Sequence, residues 1–173
     1  MLNEESIYYT TATIYEWIHL LQQDIFKDIL ISSLKFLNET DRLYIFAFVI
    51  MPNHIHIVWS INQNTGNETG YASFFKFTSN HFLKKLKKND PVLLQKFLVR
   101  KKDRKHQFWK RNSLSIEILS DEMFEQKLNY IHNNPLQPQW DLVNNPTDYR
   151  YSSARYYEEG VDEFGILTNY YLS

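Results

Sequence analysis

The segment from Leu43 to Ile61 constrains the fold of this chain more than any other stretch. It contains two apolar runs, Leu43–Met51 and Ile55–Trp59, separated by the turn residues Pro52-Asn53. Short runs that are rich in β-branched and aromatic residues and bounded by Pro or Asn indicate neighbouring β-strands. The sequence therefore predicts a β-hairpin here.

Two histidines stand at the start of the second predicted strand. Side chains alternate between the faces of a strand, so His54 and His56 share one face while Ile55 and Ile57 share the other. Two adjacent imidazoles suit a divalent metal ion if one or two further ligands are nearby. The same spacing also fits two histidines on a solvated face, and spacing alone does not separate these readings.

The remaining elements follow from periodicity and from turn residues. Strands are predicted at Ile7–Ile14 and Leu114–Leu119, helices at Asp24–Leu37, Tyr71–Lys88, Val92–Val99 and Ser120–Asn133, a loop at Asn62–Gly70, and helical turns near Ser152–Glu158. This order predicts an α+β, ferredoxin-like sandwich, in which an antiparallel sheet carries helices packed on one face. No linker or repeat interrupts the 173 residues, so we expect one domain with a basic helical insert at about 71–111 and a C-terminal wrapping tail at about 136–173.

Composition excludes several classes of protein. The chain has no cysteine, so disulfides, thiolate metal sites and cysteine nucleophiles are ruled out. The N-terminus does not resemble a signal peptide, and no apolar run approaches the roughly 18 residues that a membrane-spanning helix needs. We therefore expect a cytoplasmic protein with no membrane partner.

Charge is strongly segregated along the chain, although the net charge is only −1. The stretch from Lys76 to Arg111 carries thirteen lysines and arginines against two acids, a net of +11, whereas the rest carries six against eighteen, a net of −12. Such segregation creates a strong local field. A solvated helix face is the ordinary meaning of a charge run, but one this lopsided and flanked by Phe and Trp favours contact with phosphates.

The last predicted helix carries one tyrosine away from its apolar stripe. Phe124, Leu128 and Ile131 follow the spacing of a core-facing stripe, whereas Tyr130 lies about 100° round the helix from Ile131. Tyr130 instead shares a stripe with Gln126, Lys127, Asn133 and Asn134. With twelve tyrosines in the chain, a half-buried helix tyrosine is the ordinary reading of such a position.

Three motifs of this sequence resemble one family. Residues 51–59, MPNHIHIVW, resemble the His-hydrophobic-His (HUH) signature of single-tyrosine transposases. Residues 128–143, LNYIHNNPLQPQWDLV, resemble the tyrosine-bearing helix of the REP-associated tyrosine transposase branch, and residues 149–157, YRYSSARYY, resemble its tail. The resemblance covers roughly Ile7 to Tyr157. The segment after Pro135 lacks the Arg-Ala-Gly often found there, which affects a loop.

The resemblance implies a fold and an activity. It implies the same sandwich with the HUH motif on a central strand, and a metal-dependent enzyme that nicks and rejoins single-stranded DNA near hairpins through a 5′-phosphotyrosine intermediate. Tyr130 would be the nucleophile, and His54, His56 and Asn134 would hold Mg²⁺ or Mn²⁺. The expected partner is single-stranded or hairpin DNA, and the expected state is a monomer or a homodimer.

Further residues are candidates for contacts around that chemistry. Lys127 would offset charge near the nucleophile, and His132 would contact a phosphate or a ligand residue, although it fits a surface histidine equally well. The candidates for DNA binding are the cations of the basic stretch: Lys76, Lys84, Lys85, Lys87, Lys88, Arg100, Lys101, Lys102, Arg104, Lys105, Lys110 and Arg111.

Two other functions compete with this reading. A noncatalytic single-strand nucleic-acid-binding module with an RRM-like sandwich would use the same exposed aromatic and basic residues, and it would need neither Tyr130 nor a metal. A histidine-dependent phosphoesterase would need a second His-x-Thr/Ser element, and the sequence contains none.

Overall fold

The computed structural model describes residues 6–62 and 68–172, so the predicted loop at Asn62–Gly70 lies mostly outside the described residues. The strands are β1 (Ile7–Thr13), β2 (Leu43–Ile50), β3 (His54–Ile61) and β4 (Leu114–Glu117). The helices are α1 (Asp24–Glu39), α2 (Gly70–Asn89), α3 (Pro91–Gln95), α4 (Asp121–Asn133) and α5 (Ala154–Glu159). The predicted elements are therefore present, with α3 shorter than the predicted Val92–Val99.

The four strands form one open antiparallel sheet in the order β2-β3-β1-β4. The predicted hairpin is confirmed, because β2 pairs with β3 across the Pro52-Asn53 turn. On its other side β3 pairs with β1, in a register that sets Thr11 opposite His56 and Thr13 opposite His54. The histidine-bearing strand is thus a central strand, as the resemblance implies.

The two faces of the sheet pack into two separate cores. Ile55, Ile57 and Trp59 of β3 belong to a core that includes α1 and α2, with Leu34 and Phe74 fully buried in it. The opposite face, which carries Val58 and the two histidines, belongs to a second core with α4, built from Phe124, Leu128 and Ile131. The predicted core stripe of α4 is confirmed. The prediction that helices pack on one face is corrected: because both faces of β2 and β3 are apolar, helices cover both.

The C-terminal tail lies along the outer edge of β2. Backbone N–H groups of Ile50, Ser153 and Thr168 bond with the carbonyls of Tyr151, Phe48 and Ile45 respectively. The Tyr157 hydroxyl also donates to the carbonyl oxygen of Phe46. An uncovered edge strand exposes unpaired backbone groups, so the tail satisfies the groups that β2 would otherwise leave open.

None of the helices within residues 6–62 and 68–172 combines the length and apolar character that crossing a bilayer requires.

Gly70 is required where α2 begins beside the turn that precedes β2. A Cβ at this position would lie 2.7 Å from the backbone oxygen of Arg42, which cannot move aside as a flexible side chain can. We therefore expect Gly70→Ala to lower the free energy of unfolding by about 1–3 kcal/mol, measured by urea or thermal denaturation. Lys84→Ala, on an exposed part of the same helix, should leave stability within about 0.5 kcal/mol of wild type. Equal stability of the two variants would contradict the close contact.

Candidate active site

The tertiary structure brings the predicted metal ligands and the predicted nucleophile together. The ring centroids of His54 and His56 are 4.7 Å apart, and the ring of Tyr130 lies 5.1 Å from that of His56. Tyr130 is 50% exposed and lines a cavity beside His56, so it is accessible although α4 packs on the sheet. The three side chains come from two elements that are separated by about 60 residues of chain and meet because α4 covers the histidine-bearing face.

Asn53 fixes the tautomer of His54. The amide Nδ2 of Asn53 donates to the backbone oxygen of Trp17 over 3.2 Å, and a carbonyl oxygen only accepts hydrogen bonds. The other amide atom, Oδ1, must therefore be the acceptor that lies 2.7 Å from His54 Nδ1. The proton of neutral His54 consequently sits on Nδ1, and its Nε2 retains the lone pair that a metal ligand needs.

The turn that supplies the Trp17 carbonyl is strained. Glu16 and Trp17 both have a positive φ, 51° and 53°, which is uncommon for residues other than glycine. Two consecutive residues in this region cost roughly 1–3 kcal/mol each and persist only where the surroundings hold them. The Trp17–Asn53 hydrogen bond is one contact that holds the turn against the start of β3.

Hydroxyl groups on β1 orient His56. The Tyr9 hydroxyl and the Thr11 Oγ1 both lie 2.8 Å from His56 Nδ1, and the Tyr9 ring stacks on the imidazole at 5.6 Å between centroids. Nδ1 faces these hydroxyls, so Nε2 is the nitrogen that is free of them, and it carries the lone pair that a ligand needs when Nδ1–H donates to the oxygen of Thr11 or Tyr9. Burial is the main factor that raises the pKa of Tyr9 to about 12. The hydrogen bond with Thr11 opposes this rise, and the electrostatic contribution of Tyr130 adds to it. The Tyr9 hydroxyl therefore keeps its proton.

Burial keeps both histidines neutral. It lowers the pKa of His54 to about 4, against an opposing contribution from the nearby Asn134 amide. It lowers the pKa of His56 to about 3, with the charges of His54 and Lys127 contributing further. A metal ion binds the unprotonated imidazole, so the pair is ready for ligation at neutral pH without first losing protons.

Asn134 supplies an unpaired oxygen beside this pair. It is 4% exposed, and its Oδ1 is buried without a hydrogen-bond partner within the described residues. A residue before proline usually avoids helical dihedrals, yet Asn134 keeps them (φ −58°, ψ −44°) and so lies one turn beyond Tyr130. Leaving a carbonyl oxygen buried and unpaired costs about 1–3 kcal/mol, which a bound cation would offset.

The residue types fit a divalent cation held by two nitrogens and one amide oxygen. No group of three His, Cys, Asp or Glu side chains suited to a metal ion occurs in residues 6–62 and 68–172. The candidate centre therefore depends on the neutral amide of Asn134 as the third ligand. Imidazole and carbonyl oxygen together suit metals such as Mn²⁺, and carbonyl oxygen with water suits Mg²⁺.

A cavity of about 520 Å³ opens in front of Tyr130 and His56. Tyr9 and Thr11 form part of its wall, and Lys127 on α4 lies beside them with its ammonium group 4.8 Å from the centre of the Tyr9 ring. The opposite wall comes from residues 110–114 and 116, which lead into and form β4. The cavity is large enough for part of an extended nucleotide strand to reach Tyr130.

His132 does not join this site. Its ring is buried, its Nε2 lies 2.9 Å from Ser153 Oγ, and its closest aromatic neighbour is Tyr157 of the tail. Burial lowers the pKa of His132 to about 4, so it is a neutral residue of the core. The sequence predicted either a contact with a phosphate or ligand residue or a surface histidine, and both predictions are corrected. A side chain two residues from Tyr130 on a helix points away from it.

Only part of the basic stretch reaches the cavity. Lys110 and Arg111 line it directly. Arg104 and Lys105 line a neighbouring cavity, while Lys76 is ion-paired with Glu68 at 3.3 Å. The other candidate cations lie on α2 or in the segment that follows α3: Lys84, Lys85, Lys87, Lys88, Arg100, Lys101 and Lys102.

Sequence reasoning missed four residues that shape the site. Tyr9 and Thr11 became visible only through the β1–β3 register, and Trp140 only through its ring contact with His54 at 5.6 Å. Asn53 had a signal, since it directly precedes His54 in the turn. A polar residue next to a candidate ligand is a natural partner for its second ring nitrogen.

The open four-stranded antiparallel sheet with helices is the α+β fold of REP-associated tyrosine transposases. The solved structure of one such transposase, bound to a REP hairpin, matches 94% of this chain and 85% of its own with a TM-score of 0.63 and 16% identity. A candidate transposase of Deinococcus radiodurans matches 77% of this chain and 94% of its own, with a TM-score of 0.46 and 15% identity. No family model and no curated protein matches the chain in sequence. The likeness confirms the fold that the motifs implied.

The ligand assignment predicts metal binding that is measurable without DNA. Titration of Mn²⁺, followed by electron paramagnetic resonance or calorimetry, should show one site whose affinity falls at least about ten-fold in His54→Ala, His56→Ala and Asn134→Ala, because each removes a donor atom. His81→Ala is the matched control, since His81 lies on α2 and stacks on Phe77. Unchanged affinity in all three site variants would contradict the assignment.

Proposed function

We propose that this chain is a metal-dependent DNA transposase that nicks and rejoins single-stranded DNA near hairpins, with Tyr130 as the nucleophile. The observation that carries the proposal is the meeting of an accessible tyrosine with two neutral, same-face histidines and the unpaired oxygen of Asn134. The structural likeness to a transposase bound to a REP hairpin supports the choice of DNA as the substrate class.

Tyr130 would act by covalent catalysis. Its phenolic oxygen attacks the phosphorus of the strand, the bond from phosphorus to the 3′-oxygen breaks, and the phenolic proton passes to solvent or to the departing oxygen. The products are a 5′-phosphotyrosine link and a free 3′-OH. Attack by the 3′-OH of a second strand reverses these bond changes and releases Tyr130, so joining needs no external energy source.

The surrounding residues would hold the phosphate in place. The Lys127 ammonium shares the cavity with Tyr130 and places a positive charge where the phosphate would enter. His54, His56 and Asn134 would hold Mg²⁺ or Mn²⁺, and what the ion supplies is polarisation of the phosphate and stabilisation of charge on the departing 3′-oxygen. Tyr9 and Thr11 keep His56 in the orientation required for this role.

The nucleophile is tested by removing one oxygen atom. Tyr130→Phe should abolish the covalent adduct with hairpin-flanked single strands in Mn²⁺, because no substitute oxygen remains, while stability and DNA binding stay near wild type. Mass spectrometry of a trapped wild-type adduct should place the DNA on the peptide that contains Tyr130.

Tyr156→Phe provides the matched control, because Tyr156 lies on α5 in contact with Tyr157 and does not line the candidate cavity. It should form the adduct at the wild-type rate. An adduct on Tyr8, Tyr9 or Tyr151, or full activity of Tyr130→Phe, would refute the assignment. Binding of single strands with no adduct from wild type would instead favour the noncatalytic binding module.

The basic stretch predicts a steep dependence of binding on salt. Each neutralised phosphate of a single strand contributes about 0.7 to the slope of log K against log salt concentration. Replacing Lys110 and Arg111 together with alanine should reduce the slope measured by fluorescence anisotropy by about 1.4 if each contacts one phosphate. The same change at Lys84, Lys85, Lys87 and Lys88 measures whether DNA also follows α2, and an unchanged slope there would assign that face to solvent.

A further inference from the structure

A second cavity adjoins the candidate active site and is not used by the chemistry proposed for Tyr130. It has a volume of about 700 Å³ and lies between α2 and the segment formed by residues 104–113. The two cavities share the residues 110–113, so a strand that passes Tyr130 can continue into the second cavity without leaving the surface.

Aromatic side chains form one wall of this second cavity. The rings of Tyr71 and Phe75 are 4.8 Å apart, and Phe75 meets Trp109 edge-on at 5.3 Å. Leu83 adds an aliphatic surface from the next turns of α2. A flat, apolar partner with a π-face suits such a wall, because bases stack on aromatic side chains irrespective of their sequence.

Gln107, which also lines this cavity, carries a buried acceptor. Gln107 is 8% exposed, and its Nε2 donates to the backbone oxygen of Trp109 over 3.1 Å, which fixes the amide orientation. The remaining atom, Oε1, is buried without a hydrogen-bond partner within the described residues. The unpaired Oε1 therefore favours a ligand that brings an N–H donor into the cavity.

Positive charge borders the same cavity. Arg104, Lys105, Lys110 and Arg111 line it, and Asp103 is ion-paired with both Arg104 at 2.6 Å and Arg111 at 3.5 Å. The Nε of Arg104 is a second buried atom without a hydrogen-bond partner in the part of the chain that the structure describes, in this case a donor. The cations suit the phosphates on either side of a base, whereas the Gln107 acceptor suits the edge of the base itself.

We infer that this second cavity receives an unstacked nucleobase of the single strand that is cleaved next door. The base stacks on the wall of Tyr71, Phe75 and Trp109, and an amino or imino N–H of its edge donates to Gln107 Oε1. The inference rests on the proposed function, since the adjoining catalytic cavity supplies the strand. It assigns to this surface the selection of one base at a fixed distance from the cleaved bond.

Binding of matched oligomers tests the cavity without cleavage. Labelled deoxycytidine and deoxyadenosine oligomers of about 20 nucleotides are compared with an abasic strand of the same length and charge. Wild type should bind the base-bearing strands roughly ten-fold more tightly than the abasic strand, as expected for stacking of one or more bases. Equal affinity for the abasic strand would overturn the inference.

Two variants locate the base in this cavity. Ala72 is exposed and lines the cavity, so Ala72→Trp should fill it and remove most of the preference for base-bearing strands. Val92→Trp is the control, since Val92 is 75% exposed on α3 and outside the cavity. Gln107→Leu keeps the size of the side chain but removes the acceptor. It should lower the affinity for base-bearing strands several-fold and leave the affinity for the abasic strand unchanged. A wild-type preference in Ala72→Trp would overturn the inference even if Gln107→Leu failed to fold.

The test separates this inference from the proposed function. Adduct formation on Tyr130 without a base preference overturns the cavity assignment alone. A base preference that depends on Ala72 and Gln107, without any adduct, supports the cavity and overturns the covalent chemistry. Tighter binding of an RNA oligomer or of a free mononucleotide than of the DNA strand would overturn single-stranded DNA as the source of the base.

Discussion

The candidate site depends on the pairing register between β1 and β3. Thr11 stands opposite His56 in this register, so the hydroxyls of Tyr9 and Thr11 reach the imidazole Nδ1. A shift by one residue would turn the histidines into the core of α1 and α2 and move Ile55 and Ile57 onto the face that α4 covers. The burial of Ile55 and Ile57 in that core thus fixes the register, and the orientation of the candidate ligands follows from the register.

The same packing sets the charge state of the site. Covering the histidine face with α4 removes His54 and His56 from water, and desolvation lowers both pKa values well below neutrality. Burying the two imidazoles and the unpaired Asn134 oxygen therefore lowers the free energy of unfolding of the protein. Polar groups in such a state are stabilised when a ligand completes them, as the proposed cation would do here.

Strain and charge are both concentrated around this region. The positive φ values of Glu16 and Trp17 occur where the Trp17 carbonyl receives Asn53, and the Lys110 ammonium lies 3.5 Å from the centre of the Trp17 ring. Lys110 also lines both cavities. The strained turn, His54 and the basic segment are consequently connected through direct contacts, so a strand bound at Lys110 would lie close to the candidate metal ligands.

The sequence by itself determined the elements and most of the candidate chemistry. Period-two alternation placed His54 and His56 on one face, the α4 stripe separated Tyr130 from Phe124, Leu128 and Ile131, and Ser120 marked the start of that helix, where its side chain accepts from the Met123 N–H. These features depend on neighbours within a few residues, which a single sequence displays directly.

The tertiary structure alone decided which distant residues meet. Strand order and the side of the sheet that each helix covers decide three features of the structure. These are the helices on both faces of the sheet, the contacts of Tyr9, Thr11 and Trp140 with the histidines, and the orientation of His132 toward Ser153. The second cavity likewise exists only because α2 packs across residues 104–113. Local periodicity specifies the face that an element buries, whereas the partner for that face is set by packing of the whole chain.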